Sequence, residues 1–406
     1  MKAVIMAAGK STRTYPLTLT RPKPLLTVAN RTILEHQLRA LTGIVDGAIV
    51  VVNYMRERIE AYFGADYEGL PIEYVVQSEP LGTGHAVLQC AEAVDGPFLA
   101  MNGDDLYDPG DLARLAQAEQ AALVRQVADP RLYGIYEVVD GDRAVRLVEK
   151  PEQIFSTIAN VGAYKFTPAV FEVLADTEKS PRGEIEITSA IQTLAGTSDF
   201  RVVEMEGYWL AIGYPWHLLD ANEYLLTHGF EPEILGDVSP AADLNGRVSI
   251  GPGTVVRSGV VIDGPVCIGK DASIGPDCWI RPGTTVGNGC RVGHGVEIKN
   301  SILMDGCAVP HLSYVGDSVI GEGANLGAGT ITANFRHDGA NIPSMVKGKL
   351  VDSGRRKFGA IISDGVHTGI NTAIYPGRKL WPDTFTYPNE AVTKDITEVK
   401  RRPPGK

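Results

Sequence analysis

Hydrophobic positions along this chain obey two different rules, and the change comes near residue 236. Up to about residue 230, short apolar runs alternate with stretches of helical spacing. Residues 2–6 predict a buried strand that runs into a glycine turn. Residues 33–41 carry helical spacing, and 48–53, 72–77 and 98–101 predict further strands, the last ending in the polar turn Asn102-Gly103-Asp104-Asp105. Strand–helix–strand alternation predicts an α/β fold with a mostly parallel sheet and a site at the carboxyl ends of its strands.

From about residue 236 an apolar residue recurs every sixth position: Ile250, Val256, Ile262, Ile268, Ile274, Ile280, Val286, Val292 and Ile298, with Met304 continuing the series. Glycine often follows directly, as in Ile250-Gly251, Ile268-Gly269 and Val286-Gly287. Neither an α-helix nor a single strand has this period. It is the mark of a hexapeptide parallel β-helix, whose triangular coils each carry three short strands and point one apolar side chain per strand inward. The phase breaks after Met304, resumes at Ile320 and Leu326, breaks over 330–350, and returns at Ile362, Thr368, Ile374 and Leu380. Such interruptions map to loops that leave one face of the solenoid. The two patterns predict domains over 1–230 and 236–385, with a tail over 386–406 whose end, Lys400-Arg401-Arg402-Pro403-Pro404, is basic and proline-rich.

Composition narrows the function classes. A net charge of −11 argues against a nucleic-acid partner, which a basic chain would suit better, while local clusters such as Arg355–Arg356–Lys357 leave small anionic substrates open. Five cysteines with no CxxC pair suit reduced, packed thiols, and no stretch approaches the ~20 apolar residues of a membrane span. The expectation is a cytoplasmic protein with no membrane partner.

Ala7-Ala8-Gly9-Lys10-Ser11-Thr12-Arg13 follows the first strand and precedes Arg21-Pro22-Lys23-Pro24. A glycine loop there can turn backbone N–H groups toward phosphate, with Arg13 as a fixed bidentate charge and Lys23 as a point charge; alone it could equally be a plain turn. Further pieces follow in order: Gln77…Gly82-Thr83-Gly84-His85-Ala86, Gly103-Asp104, Tyr133-Gly134, Glu149-Lys150-Pro151, Asn160-Val161-Gly162 and Arg182-Gly183-Glu184. Together they resemble the nucleotide-sugar pyrophosphorylases, with Ser11 where glycine is usual. The resemblance implies a Rossmann-like nucleotidyltransferase domain that joins a nucleoside triphosphate, UTP or dTTP, to a sugar 1-phosphate and releases pyrophosphate. It implies that Ala8, Gly9, Ser11 and Thr12 bind the nucleotide and that Gln77, Gly82 and Thr83 read its base. Arg13 would meet the leaving phosphates and Lys23 the α-phosphate. Lys150 would meet the sugar phosphate, Gly134, Glu149 and Asn160 the sugar, and Asp104 would hold Mg²⁺. One departure stands out. The family's W-x-D-I-G reads Trp209-Leu210-Ala211-Ile212-Gly213 here, so the second metal carboxylate is absent.

In the second half, His311-Leu312-Ser313-Tyr314-Val315-Gly316-Asp317 and Asn325-Leu326-Gly327-Ala328-Gly329-Thr330, with Arg281, Lys299 and Asn334, resemble the acetyltransferase site of the bifunctional enzymes that make UDP-N-acetylglucosamine. The order of pieces is most like the archaeal-type bifunctional sugar-1-phosphate nucleotidylyltransferase/acetyltransferases. This implies a left-handed β-helix, acetyl-CoA as co-substrate, and a homotrimer or higher assembly. His311 would be the base, because imidazoles ordinarily titrate near neutrality. Arg281, Lys299, Tyr314, Asn325 and Asn334 would place the amino-sugar phosphate and the acetyl group, and Lys347, Lys349 and the 355–357 run would suit the coenzyme's phosphates. Residues 332–339, Thr-Ala-Asn-Phe-Arg-His-Asp-Gly, depart from the bacterial T-C-N-Y-D-G. A single-activity nucleotidylyltransferase with an oligomerising β-helix is the alternative.

Overall fold

The computed structural model describes residues 1–398, so the basic end at 400–406 lies outside the described residues. Two compact units emerge. One holds Met1–Lys10, Pro22–Leu25 and Ile33–Ala211; the other holds Ser11–Arg21, Leu26–Thr32 and the chain from Ile212 onward.

The first unit is built on a ten-stranded sheet. Leu70–Val76, Gly47–Val52, Lys2–Met6 and Phe98–Asn102 lie side by side in that order and run parallel. Gly47–Val52 is wholly buried, which its unbroken run of small and β-branched residues allows because both faces of the sheet are covered. Ile5, Val50 and Leu99 pack on one face beside Leu34 and Leu38 of helix Ile33–Leu41. Val4, Ile49 and Ala100 pack on the other, beside Ile187 and Ile191 of helix Ile187–Thr197. Outside this part only Arg201–Glu204, beside Ala121–Gln126, adds a parallel pair, and the remaining pairings are antiparallel. The long strand Ile158–Phe166 runs antiparallel to Phe98–Asn102 and to Ala121–Gln126, and it carries the sheet on toward the hairpin Gly134–Val139/Arg143–Glu149. That hairpin is too local a feature to disturb the alternation of strand and helix read from the sequence.

The second unit is a stack of coils forming three parallel sheets of eight, seven and five strands, as a left-handed hexapeptide β-helix requires. Val248 pairs with Val266 and Val266 with Thr284, so an undisturbed coil takes 18 residues, three hexapeptides. Ile250, Ile268, Val286, Leu303, Ile320, Ile362 and Leu380 form one inward column, and each is buried. Each such side chain stabilises the coil by roughly 1.5–3 kcal/mol relative to an exposed one.

Met304 is a correction to the periodic reading. Thr285 pairs with Ile302 and Ile302 with Val319, so two consecutive coils are one residue short. The inward position falls to Leu303, and Met304 takes the corner where glycine follows elsewhere, as in Gly287 and Gly321. The later break has a different cause. Val319 pairs with Ile361, and the additional chain between them carries an antiparallel hairpin, Pro343–Val346 with Lys349–Asp352.

Candidate functional sites

In the first unit the candidate site gathers where the parallel strands end. After Lys2–Met6 the chain turns at Ala7–Lys10, and after Phe98–Asn102 it turns through Gly103 to Asp104 and Asp105. These turns touch: the Gly103 N–H donates to the Met6 carbonyl at 3.1 Å, and a Cβ on Gly103 would stand 2.5 Å from that oxygen. Only glycine lets the two turns approach so closely. Lys23 is buried, with Nζ 2.6 Å from Asp104 Oδ2, and the Asp104 side chain remains 39% exposed. The lysine and the carboxylate picked from sequence therefore form one ion pair, open to solvent on the carboxylate's side.

Asp105 is different. It lies in the interior, where its Oδ2 accepts from Asn102 Nδ2 at 3.2 Å and from the Tyr107 hydroxyl at 3.4 Å. Burial first, and then the neighbouring Asp104 charge, push its carboxyl up to about 7, against the opposing pull of Lys23. Ala211 is exposed and sits directly opposite Asp105 in a two-stranded ribbon of Asp105–Tyr107 and Trp209–Ala211. The position that lacks the usual carboxylate is thus beside the Asp104–Asp105 turn. Sequence reasoning missed Gln37, whose Nε2 donates to the Asn102 and Asp105 carbonyls at 2.7 and 2.8 Å, because a helix position 65 residues upstream carries no local signal.

Gln77 is buried with its amide turned to the 82–85 turn, where Nε2 meets the Gly82 carbonyl at 3.0 Å and lies 3.1 Å from His85 Nδ1. Gly82 takes a φ of +104°, and a Cβ there would stand 2.6 Å from the Ile185 carbonyl, so that turn also needs glycine. Thr83 opens the helix Thr83–Leu88, and its Oγ1 accepts from Ile187 N at 3.2 Å.

Gly134, Glu149 and Asn160 come together on adjacent strands. Gly134 is in register with Glu149, and a Cβ on Gly134 would stand 3.0 Å from Glu149 Oε2 and 3.5 Å from Asn160 Cβ. Burial raises the Glu149 carboxyl above the ordinary range while Lys150 pulls it back. Glu149 and Lys150 line a cavity of about 670 Å³ with Ser180, Arg182 and Glu186. Asn160 donates to the Tyr164 hydroxyl at 2.8 Å. Two residues on, Gly162 at φ +80° leaves room for Asn102, whose Nδ2 would lie 2.0 Å from a Cβ there. Asn102 thereby links the strand carrying Asn160 to the Asp105 network.

Ser11, Thr12 and Arg13 group with the second unit. Ser11 has φ 50° and ψ 49°, the left-handed region, which accounts physically for glycine being usual at that position. The Arg13 guanidinium lies 5.7 Å over the Tyr214 ring.

On the coils, Arg281, Lys299, Tyr314 and Asn334 share one face. Arg281 pairs with Glu297 at 2.7 Å and lies 4.6 Å over the Trp279 ring. Lys299 pairs with the buried Asp317 at 3.2 Å, and Asn300 and Asn334 donate to the same carboxylate at 2.9 and 2.5 Å. Asn334 also donates to the Tyr314 hydroxyl at 3.0 Å. Burial raises the Tyr314 hydroxyl, and its bond from Asn334 works the other way. His311 and Asn325 stand elsewhere. His311 is exposed at the end of Ala308–His311, in register with His294, and Asn325 bridges Ala308 and His367. Of the proposed coenzyme contacts, Arg355 is paired with Asp220 and Arg356 donates to the Gly339 carbonyl at 3.0 Å, so both arginines tie down the insert instead.

The nucleotidyl transferase family profile matches residues 2–228, and that of the GMPPB C-terminal domain matches residues 262–375. The bifunctional protein GlmU of Methanococcus vannielii is 40% identical over 402 residues, covering 98% of this chain and 96% of that one. A bifunctional sugar-1-phosphate nucleotidylyltransferase/acetyltransferase of Sulfurisphaera tokodaii is 37% identical over 401 residues, with 98% of each chain covered. This chain belongs to that bifunctional family. A crystal structure of UDP-glucose pyrophosphorylase complexed with UDP-glucose matches at 25% identity and a TM-score of 0.52, over 56% of this chain and 98% of that one. The family resemblance and the fold expected from the sequence are therefore both borne out. All five cysteines are free, and burial raises Cys90 and Cys278 to about 12, as packed thiols should behave. Among the described residues no helix is long and apolar enough to cross a membrane.

Proposed function

We infer that this chain transfers UMP, or dTMP, from the nucleoside triphosphate to a sugar 1-phosphate, and that its coils N-acetylate an amino-sugar 1-phosphate with acetyl-CoA. The observation that carries this reading is likeness over nearly the whole chain to proteins named for both activities.

A sugar-phosphate oxygen attacks the α-phosphorus in line, and the bond to pyrophosphate breaks. The work is positioning and charge neutralisation. Lys23 would move from Asp104 to the α-phosphate, and Arg13 would hold the leaving phosphates with the Ala8–Thr12 backbone. Gln77, Gly82 and Thr83 would read the base. Lys150 would take the sugar phosphate, with Gly134, Glu149 and Asn160 on the sugar hydroxyls. Among the described residues no three acidic, His or Cys side chains gather as a metal site. The donor set nevertheless fits Mg²⁺, which commonly uses one or two carboxylates and completes its shell with phosphate oxygens and water. Asp104 is that carboxylate. Bound there, Mg²⁺ would neutralise charge on the phosphates.

In the coils, the sugar amine would attack the thioester carbonyl and the C–S bond would break, the amine's proton passing by way of His311 to the departing coenzyme A thiolate. Arg281 and Lys299 would clamp the phosphate, and Tyr314, Asn325 and Asn334 would orient sugar and acetyl group. His311 stands apart from that cluster, which suits sites completed between neighbouring prisms of a homotrimer. A second reading, one activity with a structural helix, draws on a glucose-1-phosphate thymidylyltransferase of Streptomyces griseus, 35% identical over 64% of this chain. Two assays separate the readings: pyrophosphate release from UTP and N-acetylglucosamine 1-phosphate, and acetyl-CoA consumption with glucosamine 1-phosphate. The bifunctional reading expects both, with only the second lost in His311→Ala. Pyrophosphate release without acetyl-CoA consumption supports the single-activity reading.

A further inference from the structure

The segment Ser11–Arg21 carries the arginine assigned to the leaving phosphates, and it groups with the coils. A connecting segment is ordinarily mobile where it runs over the surface, but in this one Thr14, Leu17, Thr18 and Arg21 are buried and only Arg13 is exposed. Here it is held at both ends. At one end the Arg21 side chain is only 5% exposed, with Nη2 2.7 Å from Asp364 Oδ2 and Nη1 donating to Glu322. Thr20 also donates to Asp364. In the middle, the Pro16 carbonyl accepts from Ser363 Oγ at 3.2 Å, and the Tyr15 carbonyl accepts from Lys379 Nζ at 3.2 Å. At the other end, Arg13 lies over Tyr214, which stacks on Trp216 at 4.6 Å and 8°, and the buried Lys379 stands 5.9 Å over the Trp216 ring.

Glu322 and Asp364 occupy the same corner in successive coils. That corner belongs to Lys270, Asn288 and Asp305 in earlier coils, where the two that carry an acceptor take the backbone N–H one coil back: Asn288 Oδ1 from Lys270 N and Asp305 Oδ1 from Asn288 N, both at 2.8 Å. Asp364 Oδ1 does the same for Glu322 N at 2.8 Å. Its second oxygen is what reaches Arg21.

We propose that Glu322, Asp364 and Lys379 of the coils, with Tyr214 and Trp216, are positioning residues for Arg13, so that nucleotidyl transfer depends on the β-helix. The inference rests on the role given to Arg13 above. A guanidinium fixed in advance binds polyphosphate without losing conformational freedom on binding. Arg21 is a firm tether because removing one of its carboxylates leaves a buried charge poorly compensated.

The test uses the full chain with Asp364→Asn. Asn288 shows that an amide oxygen serves as corner cap in this same solenoid, so the coil keeps its backbone bond while Arg21 loses a charge partner. Asp305→Asn makes the same exchange at a corner whose partner is Asn288, and serves as the control. Hydrogen exchange over residues 11–21 and the KM for UTP in pyrophosphate release are read on both. The expectation for Asp364→Asn is exchange faster by about tenfold in 11–21 and a KM for UTP raised by about tenfold or more, with Asp305→Asn unchanged and Asp364→Glu restoring part of the loss. Unchanged exchange in Asp364→Asn, or equal changes in both variants, overturns the proposal. Should the unaltered chain release no pyrophosphate, the catalytic reading fails by itself, and the exchange comparison together with UTP titration still decides the positioning.

Discussion

Ala211→Asp adds the one acidic side chain that the nucleotidyl site lacks, and its consequences can be worked from the ribbon. Position 211 is exposed and directly opposite Asp105, so their Cβ atoms lie ~4.5–5.5 Å apart, as in any antiparallel pair. Two full charges at about 5 Å repel by roughly 3 kcal/mol at an effective dielectric constant of about 20. Asp105 need not bear that cost, because its carboxyl already titrates at about 7 and simply keeps its proton. The metal-free variant should therefore lose only about 1 kcal/mol in a denaturant titration. With Mg²⁺ the new carboxylate shares the ion with Asp104, and the gain should resemble that of other charge-stabilising groups, about 10² in kcat. The assay is pyrophosphate release as a function of Mg²⁺ concentration. The expectation is a higher kcat together with a half-saturating Mg²⁺ lower by about tenfold. If kcat and the Mg²⁺ requirement both stay where they are in the unaltered chain, position 211 does not face the metal and the placement of the site at this turn is refuted.

Three further outcomes follow from the same geometry. Asp105→Asn should flatten the pH dependence of stability: the native carboxyl holds its proton up to about 7 where an unfolded one releases it near 3.8, so stability falls as pH rises through that window. At pH about 8 the variant should be more stable by on the order of 2–4 kcal/mol, while at pH about 4 the difference should vanish; an unchanged slope in denaturant midpoints against pH would sink the idea. Gly162→Ala should cost about 2–4 kcal/mol, since its φ is +80° and its Cβ would strike Asn102, whereas Gly141→Ala, at φ +91° with nothing within 4 Å, should cost only about 1 kcal/mol; equal shifts in thermal midpoint would contradict this. Asp317→Asn removes the carboxylate that Lys299, Asn300 and Asn334 share. Acetyl transfer should fall by about 10² with a raised KM for the amino-sugar phosphate, and pyrophosphate release should be untouched; loss of both activities together would mean the coil had simply unfolded.

The sequence by itself determined the elements whose causes are local. A period of six is written into the undisturbed coils because each short strand must point one apolar side chain inward, and the first strands of the sheet are apolar runs rich in small and β-branched residues, Lys2–Met6 leading into a glycine turn. Lys23 and Asp104, and Gly134, Glu149 and Asn160, were legible as members of one set of motifs, but the ion pair of the first two and the close approach of the other three were not. What only the tertiary structure decided depends on contacts between residues far apart in the chain. Two adjacent aspartates have different fates because Asp104 faces solvent beside Lys23 while Asp105 is enclosed by Asn102 and Tyr107, and burial then sets its charge. One-residue shortening of two coils moves the inward position from Met304 to Leu303, a shift that strand register reveals and hydrophobicity does not, since both side chains are buried. Arg21, to which the sequence reading gave no role of its own, is tied to carboxylates 301 and 343 residues away. Composition and spacing report what a residue can do, but burial and partnership, which fix what it does, are properties of the folded chain.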